Sequence, residues 1–145
     1  MRNLTQTPGA RERAACWSPD GKWIAYLSDK TGEYEVYLRP GDGKGEEKQI
    51  TKGTRNYRFD LLWSPDGKRL VFADSAFDLW LLDVDGGGLE KVDHDPTREI
   101  TQVSWSPDSR WLAYAKGEPT GFGSIFLYDT KEKKIHRVTT ELTDD

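Results

Sequence analysis

The sequence predicts an all-β fold of β-propeller blades, and three observations support this prediction. The phrase Trp-Ser-Pro-Asp occurs three times, beginning at Trp17, Trp63 and Trp105. The spacing of the copies is close to the ~40–45 residues of a four-stranded blade. Aromatic and β-branched segments alternate with Gly- and Pro-containing turns, as in all-β proteins. We therefore expect three four-stranded antiparallel blades, half of a six-bladed ring.

The repeated phrase is predicted to form the turn between the first two strands of each blade. Proline presets φ for the first turn position, aspartate suits the second, and glycine takes the left-handed position that closes a hairpin with a bulge. Ser109 replaces that glycine in the third copy, and we expect backbone strain there. The other turn residues are Pro19, Asp20 and Gly21, then Pro65, Asp66 and Gly67, then Pro107 and Asp108.

The second strand of each blade, at 23–27, 69–73 and 111–115, is almost continuously apolar. Such strands are typical of sheets packed on both faces. Third strands are predicted at 34–38, 79–83 and 124–128, and fourth strands end at 51, 93 and 139. The predicted blades span 13–51, 59–93 and 101–139, with an outer-strand remnant or connector at 1–12 and a tail at 140–145.

Composition excludes several classes of function. The 145-residue chain has a net charge of −4, which gives no overall attraction to nucleic acid or anionic membranes. Cys16 is the only cysteine, so no internal disulfide is possible. The sequence has neither the apolar stretch of a signal peptide nor a run of about 20 apolar residues. These features predict a cytoplasmic location.

Catalytic and metal sites are not predicted. The two histidines, His94 and His136, occupy nonequivalent positions in polar surroundings, and we expect His94 to be a solvated loop residue rather than a catalytic base. The segment that starts at Asp83 resembles the beginning of a calcium loop, but its twelfth position is His94 instead of an acid. We expect a tight turn there, no metal and no cofactor.

The three repeat tryptophans have two possible roles, a ligand-stacking platform or packing between blades. Trp17, Trp63 and Trp105 recur at equivalent positions of their blades. Core packing explains this recurrence more simply.

One edge of the predicted propeller collects arginines from the blade connections and from the loops between second and third strands. Guanidinium groups around a channel mouth can hold peptide carboxylates. A solvated surface is the simpler interpretation of these arginines, because Glu12, Glu33 and Glu99 dilute the positive charge. The candidate ligand-binding residues are Arg11, Arg13, Arg55, Arg58 and Arg98.

Three blades leave the first and last blade each with one apolar face open, which indicates association. We expect a homo-oligomer, most simply two chains closing a six-bladed ring. In that ring, Leu4-Thr5 and Val138-Thr139 of different chains compete for one outer-strand slot. We expect the N-terminal segment to run on as a connector instead.

The repeats resemble those shared by TolB, prolyl-oligopeptidase-type peptidases and tricorn proteases. Residues 3–13, 17–29, 121–128 and 136–139 resemble tricorn-type proteases most closely. The resemblance implies a non-catalytic role, since propellers of that family channel peptides to a separate peptidase domain that nothing here matches. The predicted function is a half-propeller, a natural fragment or an engineered truncation, that self-assembles into a ring. The alternative is a peptide-binding propeller, and an enzyme remains only if a partner chain supplies the chemistry.

Overall fold

The computed structural model describes residues 12–52, 58–98, 100–117 and 123–138. These residues form three four-stranded antiparallel sheets, and within each sheet the strands are adjacent in chain order. This arrangement confirms the predicted fold class.

Blade 1 contains β1 (Glu12–Trp17), β2 (Trp23–Ser28), β3 (Glu35–Pro40) and β4 (Lys48–Gln49). Blade 2 contains β5 (Arg58–Trp63), β6 (Arg69–Asp74), β7 (Asp78–Asp83) and β8 (Leu89–His94). Blade 3 contains β9 (Thr101–Trp105), β10 (Trp111–Gly117), β11 (Gly123–Asp129) and β12 (Lys134–Arg137). Among the described residues, no helix is long and apolar enough to cross a membrane.

The Ser-Pro-Asp turn is held by its own side chains. In blade 1 the Ser18 hydroxyl donates to Asp20 Oδ1 at 2.6 Å and accepts from the Trp23 N–H at 3.0 Å. The Lys22 N–H also donates to Asp20 Oδ1, at 3.0 Å. These donors, the Ser18 hydroxyl first, hold the pKa of Asp20 below its usual value. The same contacts recur in the other two blades, with Ser64 and Asp66 and with Ser106 and Asp108.

The first strand of every blade contains a bulge. In β1 the pairing with β2 shifts register between Arg13 and Cys16, and Ala14 has a φ of +58°. In β9 the pairing with β10 also shifts, and Gln102 has a φ of +55°. The register of β5 shifts between residues 59 and 62. The bulge turns these strands locally and increases their twist.

The core lies between the blades. Along β6, Leu70 and Phe72 pack toward blade 1, whereas Val71 and Ala73 pack toward blade 3. This division explains why β6 is continuously apolar and confirms that it is packed on both faces. The core between blades 1 and 2 also contains Ala25, Leu27, Val36, Leu38, Leu61, Trp63, Leu82 and Val84. The core between blades 2 and 3 also contains Leu79, Leu81, Val92, Ile100, Leu112, Tyr114 and Tyr128.

Candidate functional site

Each blade has a leading face, which points toward the preceding blade, and a trailing face, which points toward the next. The leading faces of blades 2 and 3 and the trailing faces of blades 1 and 2 form the two cores. Among the described residues, no further blade covers the leading face of blade 1 or the trailing face of blade 3. These two open faces are the first candidate site.

The repeat tryptophans mark the difference between a covered and an open leading face. Trp63 is 7% exposed, and its indole Nε1–H donates to the Cys16 carbonyl of blade 1 at 3.3 Å. Trp105 packs, partly buried, into the core between blades 2 and 3. Trp17 occupies the same position in blade 1 but is 58% exposed, with its ring edge against Gly41. Trp63 and Trp105 therefore pack between blades, as predicted, whereas Trp17 does not.

The remainder of the leading face of blade 1 is a covered tyrosine pair. The rings of Tyr26 and Tyr37 stack at 5.9 Å between centroids. Lys30 Nζ lies 4.4 Å from the centre of the Tyr37 ring. Glu47 accepts from the Tyr26 hydroxyl, pairs with Lys30, and lies 3.3 Å from the Arg39 guanidinium. Trp17 is consequently the main apolar surface that this face exposes.

The trailing face of blade 3 exposes aliphatic side chains that are buried at the equivalent places in blade 2. Ile125 is 36% exposed, whereas Leu79, its equivalent in β7, is 0% exposed. Val138 is 54% exposed, whereas Val92, its equivalent beside β7, is 5% exposed. The strand pairings place Ala113, Ala115 and Leu127 on the same face.

The covered contact between blades 2 and 3 is closed at its outer side by polar pairs. The Tyr114 hydroxyl donates to Asp93 Oδ2 at 2.8 Å, and Lys116 Nζ donates to Asp93 Oδ1 at 2.9 Å. The Tyr128 hydroxyl donates to Glu90. Burial, reinforced by these carboxylates, raises the pKa of both tyrosines well above the usual range.

The connector edge, where blade connections meet the loops between second and third strands, is the second candidate site. Asp95 is fully buried there. Its Oδ1 accepts from the Thr97 N–H and hydroxyl at 2.8 and 2.9 Å, and its Oδ2 accepts from the Gly117 N–H at 2.8 Å. Burial opposes the charge of Asp95, but these hydrogen bonds hold its pKa below the usual value. Asp95 thereby ties the blade 2–blade 3 connection to the end of β10.

The structure describes only some of the arginines that were predicted to bind a ligand. Arg98 is exposed at the connector edge, and its Nε would lie 2.9 Å from a Cβ atom added at Gly117. The backbones of Arg13 and Arg58 pair with Leu27 and Asp74, at the same edge of their blades. Arg11, Arg55 and the side chains of Arg13 and Arg58 lie outside what the structure describes. The carboxylate-binding role therefore stays a prediction.

His94 is exposed, as predicted, but it lies in a strand rather than in a loop. His94 ends strand β8, and its Nδ1 lies 2.7 Å from Asp78 Oδ1. Lys91 Nζ lies 3.3 Å from the other oxygen of the same carboxylate. Its position at the end of an edge strand, opposite Asp78 in β7, accounts for the pair.

The segment that begins at Asp83 forms the turn between β7 and β8. Asp83 Oδ1 accepts from the backbone N–H groups of Asp85 and Gly86 at 3.1 and 3.3 Å. The carboxylate is thus used to cap the turn. Within the described ranges, no group of His, Cys, Asp and Glu is arranged to hold a metal ion.

A surface groove that the sequence analysis missed lies beside this turn. Its volume is about 310 Å³, and it lies between the outer strands of blade 2 and the β11–β12 turn of blade 3. Its lining residues are Arg69, Leu81, Asp83, Gly88, Leu89, Glu90 and Lys133. The repeat pattern could not have revealed it, because the groove depends on how two neighbouring blades pack.

Comparison with known proteins shows similarity along the whole chain. Residues 1–145 match the family described as the tricorn protease second β-propeller domain. The chain is 36% identical over 137 residues to a Sulfurisphaera tokodaii protein named as a tricorn-like protease C-terminal subunit, covering 94% of the chain and 15% of the relative. It is 25% identical over 143 residues to tricorn protease homolog 1 of Streptomyces coelicolor, covering 95% and 13%. It superimposes on the crystal structure of the tricorn protease with a TM-score of 0.80 and 22% identity, over 92% of the chain and 13% of that structure. The chain thus spans about one seventh of these relatives.

Proposed function

Because the chain belongs to the family of tricorn protease second β-propeller domains, we propose that it is a non-catalytic propeller segment that closes into a ring with a second copy of itself. The observation that carries this proposal is the exposure of Trp17 at a position where Trp63 is buried by a neighbouring blade. A blade is complete only when both of its faces are covered. The function of such a chain is structural, since its blades supply surfaces for assembly.

Blade number supports two copies. Propellers close with about four to eight blades, and the described residues form three. Two copies supply six blades, within this range, whereas three copies supply nine and exceed it. Closed rings of identical chains are also the commonest way in which exposed apolar faces are satisfied without open-ended growth.

The mass of the purified chain in solution tests this proposal. Size-exclusion chromatography with light scattering should give twice the chain mass of 16.5 kDa. Circular dichroism on the same fractions should show a folded β protein. A folded monomer, or an assembly of three or more chains, would overturn the two-copy ring.

Peptide binding at the connector edge is a second candidate function, and the position of Arg98 favours it. Its guanidinium packs on Gly117, in the space that a Cβ would take, and its side chain is exposed at this edge. The similar proteins are named as proteases, so a peptide is the ligand class that this edge would meet. A guanidinium binds a terminal carboxylate with two parallel hydrogen bonds.

Substitution of Arg98 tests the second candidate. A short unstructured peptide with a free C-terminus should bind saturably in calorimetry, and Arg98→Ala should weaken this binding about tenfold, the typical loss of one charged hydrogen-bond partner. Arg69→Ala, at the opposite edge of blade 2, is the matched control and should bind normally. Equal binding of the amidated peptide would exclude a carboxylate site.

A further inference from the structure

We propose that Asp85 and Gly86, at the tip of the β7–β8 turn, are a site of spontaneous backbone modification at which the aspartate converts to isoaspartate. The sequence contains four Asp-Gly pairs, at 20–21, 42–43, 66–67 and 85–86. Glycine after aspartate favours this reaction, because it places no side chain beside the attacking nitrogen and leaves the backbone free to turn. The fold restrains three of these pairs and leaves the fourth free.

The reaction requires no cofactor and no second protein. The backbone nitrogen of Gly86 attacks the side-chain carboxyl carbon of Asp85. A carbon–nitrogen bond forms, and one carboxyl oxygen leaves as water with the amide proton and a second proton from solvent. Water then opens the resulting five-membered ring at the former main-chain carbonyl, so that the chain runs through the side-chain carbon. The product has an unchanged mass, one additional methylene in the backbone and a free α-carboxylate.

In the three restrained pairs, both reacting groups are engaged in hydrogen bonds. The glycine N–H donates to the backbone carbonyl three residues earlier, at 2.9 to 3.1 Å. The aspartate Oδ1 accepts from the N–H two residues later, at 2.8 to 3.0 Å. The carboxyl carbon therefore cannot swing onto the nitrogen unless these bonds break. The glycine donors are Gly21, Gly43 and Gly67, and the aspartate acceptors are Asp20, Asp42 and Asp66.

The pair at the β7–β8 turn lacks these restraints. Asp85 is exposed, and within the described part of the chain its carboxylate accepts no hydrogen bond and forms no ion pair. The Gly86 N–H lies 3.3 Å from Asp83 Oδ1, beyond the usual length of an N–H···O bond, and it shares that oxygen with the Asp85 N–H. A Cβ added at Gly86 or at Gly88 would meet nothing within 4 Å. Both reacting groups are therefore free to approach each other.

The modification would change one wall of the groove beside this turn. Asp83 and Gly88 line that groove, and the Asp83 N–H donates to the Gly88 carbonyl at 2.8 Å. This bond closes the base of the turn, and the reaction adds its methylene between the two residues. We therefore expect the turn to change shape while the pairing of β7 with β8 remains.

Peptide mapping of the folded chain, after storage at neutral pH and physiological temperature, tests this inference. Trypsin places the four Asp-Gly pairs in separate peptides, 14–22, 31–44, 59–68 and 70–91. Peptide 70–91 should gain a second chromatographic form of unchanged mass, and electron-transfer fragmentation should assign the change to residue 85. The other three peptides should each keep a single form and are the internal controls.

A variant and an unfolded sample separate the effect of the fold from that of the sequence. Gly86→Ala should lose the second form, because its methyl group shields the nitrogen. This variant should fold, since the added Cβ meets nothing within 4 Å and the φ of Gly86 is not positive. In denaturant, all four peptides of the parent chain should gain a second form, because no hydrogen bond then restrains them.

Two results would overturn the inference. One is equal conversion of the four pairs in the folded chain, since the fold would then offer no protection. The other is a folded chain in which residue 85 stays unmodified while the unfolded chain converts it.

Discussion

At the scale of single residues, Ser109 shows how a side chain can offset backbone strain. Its φ is +64°, in the left-handed region that Gly21 and Gly67 occupy in the other two turns. Its hydroxyl accepts a hydrogen bond of 2.9 Å from the backbone N–H of Asp66 in the preceding blade. Gly67 has no side chain to offer, and a Cβ added there would be 3.9 Å from Pro19. The strained residue is thus also a link between blades.

We expect Ser109→Ala to lower the free energy of unfolding by about 1–2 kcal/mol, because it removes the acceptor for Asp66 and keeps the strained φ. Ser109→Gly also removes the acceptor but relieves the strain, which is worth about 1 kcal/mol. Its stability should therefore stay within about 1 kcal/mol of the parent. Chemical denaturation monitored by tryptophan fluorescence measures both changes.

The order of these two variants is the decisive result for Ser109. Ser104→Ala, at an exposed serine of the same blade, is the control and should leave the denaturation midpoint unchanged. If the glycine variant were less stable than the alanine variant, relief of backbone strain would not contribute at this position.

The sequence predicted the conformation of Ser109 but not its partner. The turn phrase places a left-handed residue at a fixed offset from the tryptophan, so the strain could be read from the repeat. The bond to Asp66 joins two turns 43 positions apart and exists only once the blades are packed. His94 was misplaced for a related reason, since its partner Asp78 lies on the neighbouring strand.

At the scale of elements, strands with a continuous apolar run could be predicted from the sequence. Bulges could not, because their backbone conformation is one that their residue types do not favour. Strand β6 was found from its apolar run, and its division between two cores follows from alternation. The bulges in β1 and β9 were not found. Ala14 and Gln102 have positive φ, although neither residue type favours that conformation, so no local signal marks them.

The turn after the third strand of blade 3 contains Asp129, whose role could not be predicted from the sequence. Arg110 contacts both carboxylate oxygens of Asp129, with distances of 3.2 Å from Nε and 2.9 Å from Nη2. This guanidinium holds the pKa of Asp129 well below its usual range. The same carboxylate also accepts from the Lys131 N–H at 2.9 Å and so caps the turn before β12. Asp83, at the equivalent place in blade 2, caps its turn in the same way, whereas blade 1 has Pro40 there.

At the scale of the whole molecule, equivalent positions of the repeat have different environments, because each environment depends on which blades pack beside it. Trp17 and Trp63 follow the same pattern and differ in exposure by roughly an order of magnitude. Among the described residues, blade 1 covers Trp63, whereas no preceding blade covers Trp17. The exposure of each tryptophan therefore could not be predicted from the repeat alone.

Stability should therefore depend on concentration if the open faces are closed by a second copy. A dimer that unfolds to two separate chains is stabilised by mass action. With an unfolding enthalpy of about 0.7 kcal/mol per residue, the midpoint temperature should rise by about 2–3 °C for each tenfold increase in concentration. Differential scanning calorimetry over a hundredfold range measures this slope. A Trp17→Asp variant should unfold at one temperature throughout, because the leading face of its blade 1 no longer contributes. A parent midpoint independent of concentration, in a chain that light scattering shows to be dimeric, would mean that the contact adds nothing to folding and that each set of three blades is stable alone.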